Sequence, residues 1–162
     1  MAQSSVERDR MKWLNGRIAE VIVERLFTDL GYDLQRFGIE HSNPRFADTA
    51  YKKKGPVSKM LRQTPDFVAQ RNVPGNSGMW FLEVKYRSNG TCSITDLDKH
   101  GPYSYPKALI ILVTPEGIRA QSYENLKSGG DFIALCSMKF LHTDDTVVSF
   151  YDAECRRIFR RS

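Results

Sequence analysis

The sequence contains neither a long apolar segment nor paired cysteines. The longest strongly apolar run, ALIILV at residues 108–113, has six residues, whereas a membrane-spanning helix needs about twenty. The opening string MAQSSVERDRMK is polar and charged, so we expect no signal peptide. The 3 cysteines are scattered and form no CxxC pair, which favours a reducing, cytoplasmic setting. The 3 histidines also lack ligand spacing, which excludes zinc-finger and zinc-ribbon functions.

What the sequence does have is the composition of one ordinary globular domain. Its 162 residues are 41% apolar and 27% charged, which argues against extended disorder and low complexity. A domain of this size buries about 70% of its unfolded surface and needs no disulfide scaffold. We therefore predict one domain over residues 1–162, with its core near 14–114 and a C-terminal extension near 130–162.

Positive charge is concentrated in one segment. The net charge is +5, and residues 38–65 contain six basic side chains against two acidic ones. Residues 152–162 add four arginines against two acidic residues. Clustered positive charge suits a polyanion such as nucleic acid, although a solubilising loop and a solvated helix face have the same composition. The candidate nucleic-acid-binding residues of the basic segment are Arg45, Lys52, Lys53, Lys54, Lys59 and Arg62.

A long helix is predicted first. Apolar residues recur at helical spacing from Leu14 onward, Ser4 and Glu7 can form a capping box, and Gly31 is placed to end the helix. Asn15-Gly16 interrupts the pattern. Either the helix begins after Gly16, or this glycine lets another backbone approach closely.

The rest of the chain reads as an α/β domain around a mixed β-sheet. Residues 38–65 have no clear period, so we predict a long loop with a short helix near 58–62. The link RNVPGNSG is dense in turn residues and predicts a hairpin. The predicted elements are strands at 32–37, 66–70 and 79–87, a short helix within 95–105, a buried strand at 108–114, a strand at 132–141, and a helix at 146–161 capped by Asp144 or Asp145.

Three charged residues on the predicted hairpin carry chemistry. Glu83 and Lys85 are two residues apart in a strand, so they project from the same face, and a charged pair within an apolar strand is costly unless paired or used. Hairpin pairing would bring Asp66 beside Glu83. Two close carboxylates repel each other, and a divalent cation removes that penalty. Hard oxygen ligands suit Mg²⁺ or Mn²⁺.

A lysine beside two carboxylates completes the groups needed for metal-assisted hydrolysis of a phosphodiester. It could position or deprotonate a water molecule, or it could stabilise developing negative charge. A structural alternative stays open. Glu83 and Lys85 could form an ion pair on a solvent-facing strand, and Asp66 could cap a turn after Pro65.

Pro65-Asp66, followed after a gap by Glu83-x-Lys85, resembles the motif of the PD-(D/E)xK nuclease superfamily, also called restriction-endonuclease-like. The upstream string NGRIAEVIVERLFTDLGYDL is similar to the first helix of that superfamily's core, and the matching positions are Gly16, Ala19 and Glu20. The resemblance implies a core of helix, three strands, helix and strand around a central mixed β-sheet. An extra C-terminal strand and helix would follow it.

The resemblance also implies an activity and a set of roles. Asp66 and Glu83 would be catalytic residues that bind Mg²⁺ or Mn²⁺, with help from Glu20, and the backbone carbonyl of Val84 would face the same ion. Lys85 would be catalytic. The implied function is a metal-dependent nuclease that hydrolyses phosphodiester bonds, with DNA as the expected substrate and the protein a deoxyribonuclease.

Several assignments around this site stay open. Glu24 lies one turn after Glu20 and is its substitute, and either could be a surface residue. Arg87 lies on the same predicted strand face as the lysine and is a candidate phosphate contact or a plain surface charge. Asp96 and Asp98 could support the site from the short helix, although capping is the favoured role for Asp96.

The match is at superfamily level. The chain lacks the Gln-x-x-x-Tyr pattern of RecB-like exonucleases after the lysine strand, and it lacks the serine that follows the first strand in archaeal Holliday junction resolvases. A second hypothesis is a nucleic-acid-binding module on the same fold that is catalytically silent or needs a protein partner. A third is a small α/β protein with a structural ion pair. A homodimer stays open, and no membrane partner is expected.

Overall fold

The computed structural model of the protein describes residues 5–37, 52, 55–73, 76–99 and 101–160. Within these residues the helices are α1 (Ser5–Asp29), α2 (Pro56–Arg62), α3 (Ile94–Leu97), α4 (Tyr123–Lys127) and α5 (Asp145–Phe159). The strands are β1 (Asp33–Arg36), β2 (Phe67–Val73), β3 (Asn76–Tyr86), β4 (Leu109–Thr114), β5 (Gly117–Ser122) and β6 (Ile133–Ala134). None of the described helices combines the length and apolar character needed to cross a membrane.

The six strands form one mixed sheet whose order, β1-β2-β3-β4-β5-β6, follows the chain. β3 and β4 are parallel, and every other neighbouring pair is antiparallel. A parallel pair needs a crossover connection, and α3 lies within it. The mixed α/β architecture predicted from the sequence is therefore present.

The two faces of the sheet pack against different elements. Apolar side chains of α1 and α5 share one buried core with inward-facing strand residues, among them Leu82 and Val84. A smaller cluster on the other face contains Leu97, Tyr103 and Ile110. Because strand side chains alternate between faces, Glu83 points to this second face, away from α1.

The described part of helix α1 begins at Ser5, the residue after the predicted cap. It runs through Asn15-Gly16 without a break, and apart from the adjacent residues and backbone of the helix itself, no described atom lies within 4 Å of a Cβ built on Gly16. Neither interpretation of Gly16 agrees with the described residues, because the helix does not begin after it and no described backbone from another element approaches it closely. The predicted capping box involves Ser4, which lies outside the described residues.

Gly31 ends α1 as predicted. Its φ of 82° is left-handed, the N–H of Tyr32 donates to the carbonyl of Phe27 at 2.9 Å, and the N–H of Gly31 donates to Thr28 at 2.9 Å. These two hydrogen bonds form a Schellman motif, which satisfies carbonyls that a helix end leaves unpaired.

Gly16 within α1 and Gly31 just after it predict opposite effects of substitution by alanine. Gly31→Ala forces a Cβ into the left-handed region and is expected to lower the free energy of unfolding by about 1 kcal/mol. Gly16→Ala, in an open helix interior, is expected to raise it by about 0.5–1 kcal/mol. Urea denaturation of both variants checks the pair. A stabilised Gly31→Ala protein would contradict the role of the left-handed turn.

Most of the remaining predicted elements are confirmed. The hairpin is β2–β3, the short helices are α2 and α3, and every residue of β4 is buried, as expected for a strand covered on both faces. The last helix begins after Asp144, whose Oδ1 accepts hydrogen bonds from the N–H groups of Thr146 and Val147 at 2.7 and 3.2 Å.

Two predictions about the strands are wrong. The hairpin link is much shorter than RNVPGNSG, because pairing continues to Val73 and Asn76 and leaves two residues between the strands. Residues 132–141 do not form a strand beyond the short β6. They continue as two 3₁₀ turns in which Leu135, Met138 and Leu141 are buried, and this three-residue spacing is that of a 3₁₀ helix. The predicted elements also include neither β5 nor α4.

Candidate active site

The register of the β2–β3 hairpin brings Asp66 onto β3. Phe67 pairs with Leu82, so Asp66 lies opposite Glu83, one residue before β2 begins. The Asp66 Oδ2 accepts a hydrogen bond from the Val84 N–H at 2.7 Å, and the Asp66 carbonyl accepts one from the Phe37 N–H at 2.8 Å. Both its backbone and its carboxylate are thus fixed. The predicted juxtaposition of Asp66 and Glu83 is present.

Glu83 and Lys85 share one strand face and form an ion pair, as their spacing predicts. Glu83 is only 8% exposed, and its Oε1 pairs with the Lys85 Nζ. Its Oε2 accepts a hydrogen bond from the Tyr103 hydroxyl at 2.9 Å. Both oxygens of this buried carboxylate therefore contact the protein, which offsets the cost of burying a charge.

The electrostatics of the site favour an added cation. Burial raises the pKa of Asp66 well above its ordinary value, and the Glu83 charge raises it further, while Lys85 and the Val84 N–H act in the opposite direction. Burial lowers the pKa of Lys85, but the Glu83 and Asp66 carboxylates outweigh it and leave the pKa raised. Lys85 is therefore an ammonium at neutral pH, whereas burial and the Glu83 charge both oppose ionisation of Asp66.

Glu20 lies in a group of arginines near this pair. Its Oε2 lies 2.8 Å from the Arg17 guanidinium and 3.5 Å from that of Arg36, and its charge adds to the raised pKa of Asp66. Glu24 pairs with Arg36 through an Nε–Oε1 hydrogen bond of 3.2 Å. Of the two glutamates, Glu20 is the one within electrostatic reach of Asp66. Its role toward a metal stays a prediction.

A cleft opens over the charged residues. It consists of two adjoining cavities of about 280 and 710 Å³. Lys85, Arg87, Asp96 and Lys99 line both cavities. The smaller cavity also reaches Arg62 and Glu83, and the larger one reaches Lys12 on α1. Basic side chains outnumber acidic ones along the cleft, so an anion entering it meets net positive charge.

The predicted nucleic-acid-binding residues divide into three groups. Arg62 and Arg87 line the cleft. Lys59 extends toward Gly101, with its Nζ 3.0 Å from the position of a Cβ there, and Lys52 is exposed. Three further candidates lie outside the described residues: Arg45, Lys53 and Lys54.

The structure adds Tyr103 and Gln63, which sequence reasoning missed. Tyr103 donates to Glu83, and the buried Gln63 contacts the loop that carries Tyr103. The available signal was an aromatic pair, Tyr103 and Tyr105, in a short segment bounded by prolines at both ends. From the sequence we predict only a short helix within residues 95–105, with no role for its two tyrosines.

Asp96 forms the cap that we favoured. It accepts a hydrogen bond from the Ser93 N–H at 2.8 Å and donates its own N–H to the Ser93 hydroxyl at 3.2 Å, which is a capping box. These contacts with Ser93 lower the pKa of Asp96. Asp98 accepts hydrogen bonds from the Tyr103 N–H and the Tyr123 hydroxyl, so it supports the site indirectly.

No protein-family model matches the chain, and no curated protein matches it with significance. The resemblance to the PD-(D/E)xK superfamily therefore stays a prediction. Its support is the sequence motif together with the geometry of the residues that carry it.

The donor set fits a hard divalent cation. Within the described part of the chain no three His, Cys, Asp or Glu side chains group closely enough to hold a metal alone. Mg²⁺, however, is commonly bound by one or two carboxylates, with waters and substrate phosphates completing its shell. Asp66 and Glu83 supply that pair. In an extended strand the N–H and C=O of a residue point to the same side, so the Val84 carbonyl faces the side on which Asp66 lies.

Proposed function

We propose that the protein is a Mg²⁺-dependent nuclease that hydrolyses phosphodiester bonds, with DNA as its expected substrate. The observation that carries this proposal is the pairing of Glu83 with Lys85 in the wall of a basic cleft, with the Asp66 carboxylate held beside them by the Val84 N–H. A solvated surface ion pair would not explain the burial of Glu83. It would also not explain why Asp66 lies close enough to Glu83 for that charge to raise its pKa.

The order of elements supports a restriction-endonuclease-like core. Helix α1 is followed by the antiparallel strands β1, β2 and β3, with the short helix α2 between β1 and β2, then by α3, and then by β4 parallel to β3. Apart from α2, this is the succession of helix, three strands, helix and strand that the resemblance implies. β5, α4, β6 and α5 then extend the sheet and cover it.

Asp66, Glu83 and the Val84 carbonyl would hold Mg²⁺, and Glu20 would assist from α1. The ion, when bound, supplies a water of lowered pKa and neutralises charge on the reacting phosphate. The sequence leaves two roles open for Lys85, which are to position or deprotonate the water and to stabilise developing negative charge. In the metal-free protein the Glu83 and Asp66 carboxylates raise the pKa of Lys85, which favours donating hydrogen bonds to the phosphate or orienting the water over accepting a proton.

The basic residues of the cleft would contact the sugar-phosphate backbone. Phosphate contacts position nucleic acid without reading its sequence, and each neutralised phosphate makes binding more salt-dependent. The side chains placed for this are Lys12, Arg62, Arg87 and Lys99.

Neutralising two of them should flatten the salt dependence of binding. For the double variant Arg62→Gln/Lys99→Gln, we expect weaker binding to every DNA sequence and a slope of log K against log[salt] that is smaller by about 2. Fluorescence anisotropy in EDTA between low and moderate salt measures it. Lys107→Gln is the matched control, because Lys107 lies outside the cleft and pairs with Glu124 at 2.9 Å. An unchanged slope in the double variant would remove these residues from the interface.

A nuclease assay on supercoiled plasmid, linear duplex, single strand, branched junction and RNA tests the proposed function. Cleavage is expected with Mg²⁺ or Mn²⁺ and not with EDTA. Cleavage that persists in EDTA would contradict the metal dependence. Binding without cleavage on any substrate would instead support the partner-dependent or silent module.

A further inference from the structure

Tyr103 contributes the second hydrogen bond to the central carboxylate. Its side chain is 7% exposed, and its hydroxyl donates to Glu83 Oε2 at 2.9 Å. The other oxygen, Oε1, pairs with Lys85. Lys85 and Tyr103 thus approach Glu83 through different oxygens, and together they fix both the rotation of the carboxylate and the side from which the ammonium reaches it.

The backbone of Tyr103 is held by a second carboxylate. Asp98 Oδ1 accepts the Tyr103 N–H at 3.1 Å and the Tyr123 hydroxyl at 2.7 Å. The Tyr123 hydroxyl is also 3.2 Å from the Tyr103 nitrogen. The tyrosine that holds Glu83 is itself fixed from α4 and from the end of α3.

Gln63 holds the same loop from the other side. It follows α2, is 6% exposed, and donates from Nε2 to the Gly101 carbonyl at 3.0 Å. Its Oε1 accepts the N–H and the hydroxyl of Ser104 at 3.0 and 2.5 Å. Both ends of this buried amide are therefore used on the residues that flank Tyr103.

Such a network is more than the packing of the loop requires. Buried polar groups lower stability unless every partner is present, and an apolar loop could cover Ile110 without a hydroxyl, a carboxylate or an amide. Polar groups from three separate elements converge on one loop, and the hydroxyl of Tyr103 in this loop contacts Glu83. Partners of this type orient the ligands of metal sites and set their basicity.

We propose that Tyr103 is a positioning residue that orients Glu83 for metal binding and keeps its other oxygen, Oε1, aligned with Lys85, and that Gln63 and Asp98 hold Tyr103 in place. The inference rests on the proposed function, because it assigns Glu83 and Lys85 to a metal-dependent reaction. It adds residues that the sequence motif does not contain.

Tyr103→Phe is the direct test. The ring is kept, so its packing against Tyr105 and Tyr123 at 5.9 and 5.3 Å between centroids is retained, and only the hydroxyl is lost. We expect kcat to fall about 10–100-fold and KM for DNA to stay within about twofold. Calorimetric titration of the DNA-free protein with Mn²⁺ is expected to show affinity weakened by about 10-fold or more.

Tyr151→Phe is the matched control. The Tyr151 hydroxyl donates to Asp29 Oδ2 at 2.6 Å in the core between α1 and α5, so this variant loses a tyrosine–carboxylate hydrogen bond of the same kind away from the cleft. It should lower the melting temperature and leave kcat and Mn²⁺ affinity unchanged. If Tyr103→Phe does not fold, Gln63→Met tests the same network, with a smaller loss of kcat and of Mn²⁺ affinity.

The outcomes separate the inference from the function on which it rests. A wild type that cleaves DNA, with Tyr103→Phe equal to it in kcat and in Mn²⁺ affinity, overturns the positioning role and leaves the proposed function intact. A wild type that neither binds Mn²⁺ nor cleaves any substrate overturns both. If the wild type binds Mn²⁺ but cleaves no substrate, and Tyr103→Phe binds Mn²⁺ more weakly than the wild type does, the positioning of Glu83 is supported and the proposed nuclease activity is overturned.

Discussion

Asp66→Asn is expected to reduce the rate of DNA cleavage by about 10³-fold or more while the protein still folds and binds DNA. The amide can still accept the hydrogen bond from the Val84 N–H, so the start of β2 should keep its geometry. The negative charge needed to hold the metal is lost, and catalysis that depends on metal-assisted charge stabilisation goes with it. Single-turnover cleavage and anisotropy in EDTA measure the two effects separately.

A second aspartate provides the control for this substitution. Asp152 on α5 is also a half-buried carboxylate with a backbone hydrogen bond, from the Ile118 N–H at 2.8 Å, and burial raises its pKa as well. It packs on the opposite face of the sheet from Glu83 and Lys85. Asp152→Asn should keep the wild-type cleavage rate. Equal cleavage by the Asp66 and Asp152 variants would mean that the reaction occurs elsewhere.

A divalent cation is expected to raise the melting temperature of the wild type and not that of Asp66→Asn. A ligand at 100 times its dissociation constant adds about 2.7 kcal/mol to the free energy of unfolding, which for a domain of this size corresponds to about 5–10 °C. Scanning calorimetry with Mn²⁺ or Ca²⁺, compared with sodium chloride at equal ionic strength, measures the shift. No shift at millimolar metal would favour a purely structural ion pair.

The order of stability should reverse when the metal is removed. Burial and Glu83 raise the pKa of Asp66 above 3.8, so the metal-free fold prefers its protonated form. The stabilisation from that proton is complete below the ordinary pKa and is lost as pH rises through the raised one. Metal-free Asp66→Asn at neutral pH should therefore be at least as stable as the metal-free wild type. A less stable variant would show that the Asp66 carboxylate stabilises the fold without a cation.

The parts of the fold that the sequence predicts are those whose local pattern decides their structure. β4 is a continuous apolar run, and β3 is rich in aromatic and β-branched residues, so neither depends on distant contacts for its assignment. The side-chain period of two then placed Glu83 and Lys85 on one face, and hairpin pairing placed Asp66 opposite Glu83.

The parts that the sequence does not predict depend on contacts between distant residues. Tyr103 is 20 residues from Glu83, and Gln63 is 41 residues from Ser104, so no local spacing links either pair. Likewise, burial along β5 follows neither the period of a helix nor strict alternation. It depends on distant elements, since helix α5 covers one face of β5 and β6 pairs with its outer edge over only two residues.

The sheet has a consequence for how the chain folds. Each described strand hydrogen-bonds to the strand that precedes or follows it in sequence, so the sheet can grow by adding one strand at a time to an existing edge. The β2–β3 and β4–β5 hairpins each close a loop of two residues, which costs little entropy and makes these two pairings fast. The contact between Tyr151 and Asp29 spans 122 residues and joins the two helices that cover one face. Docking of α5 onto α1 is therefore expected to be the last and slowest step of folding.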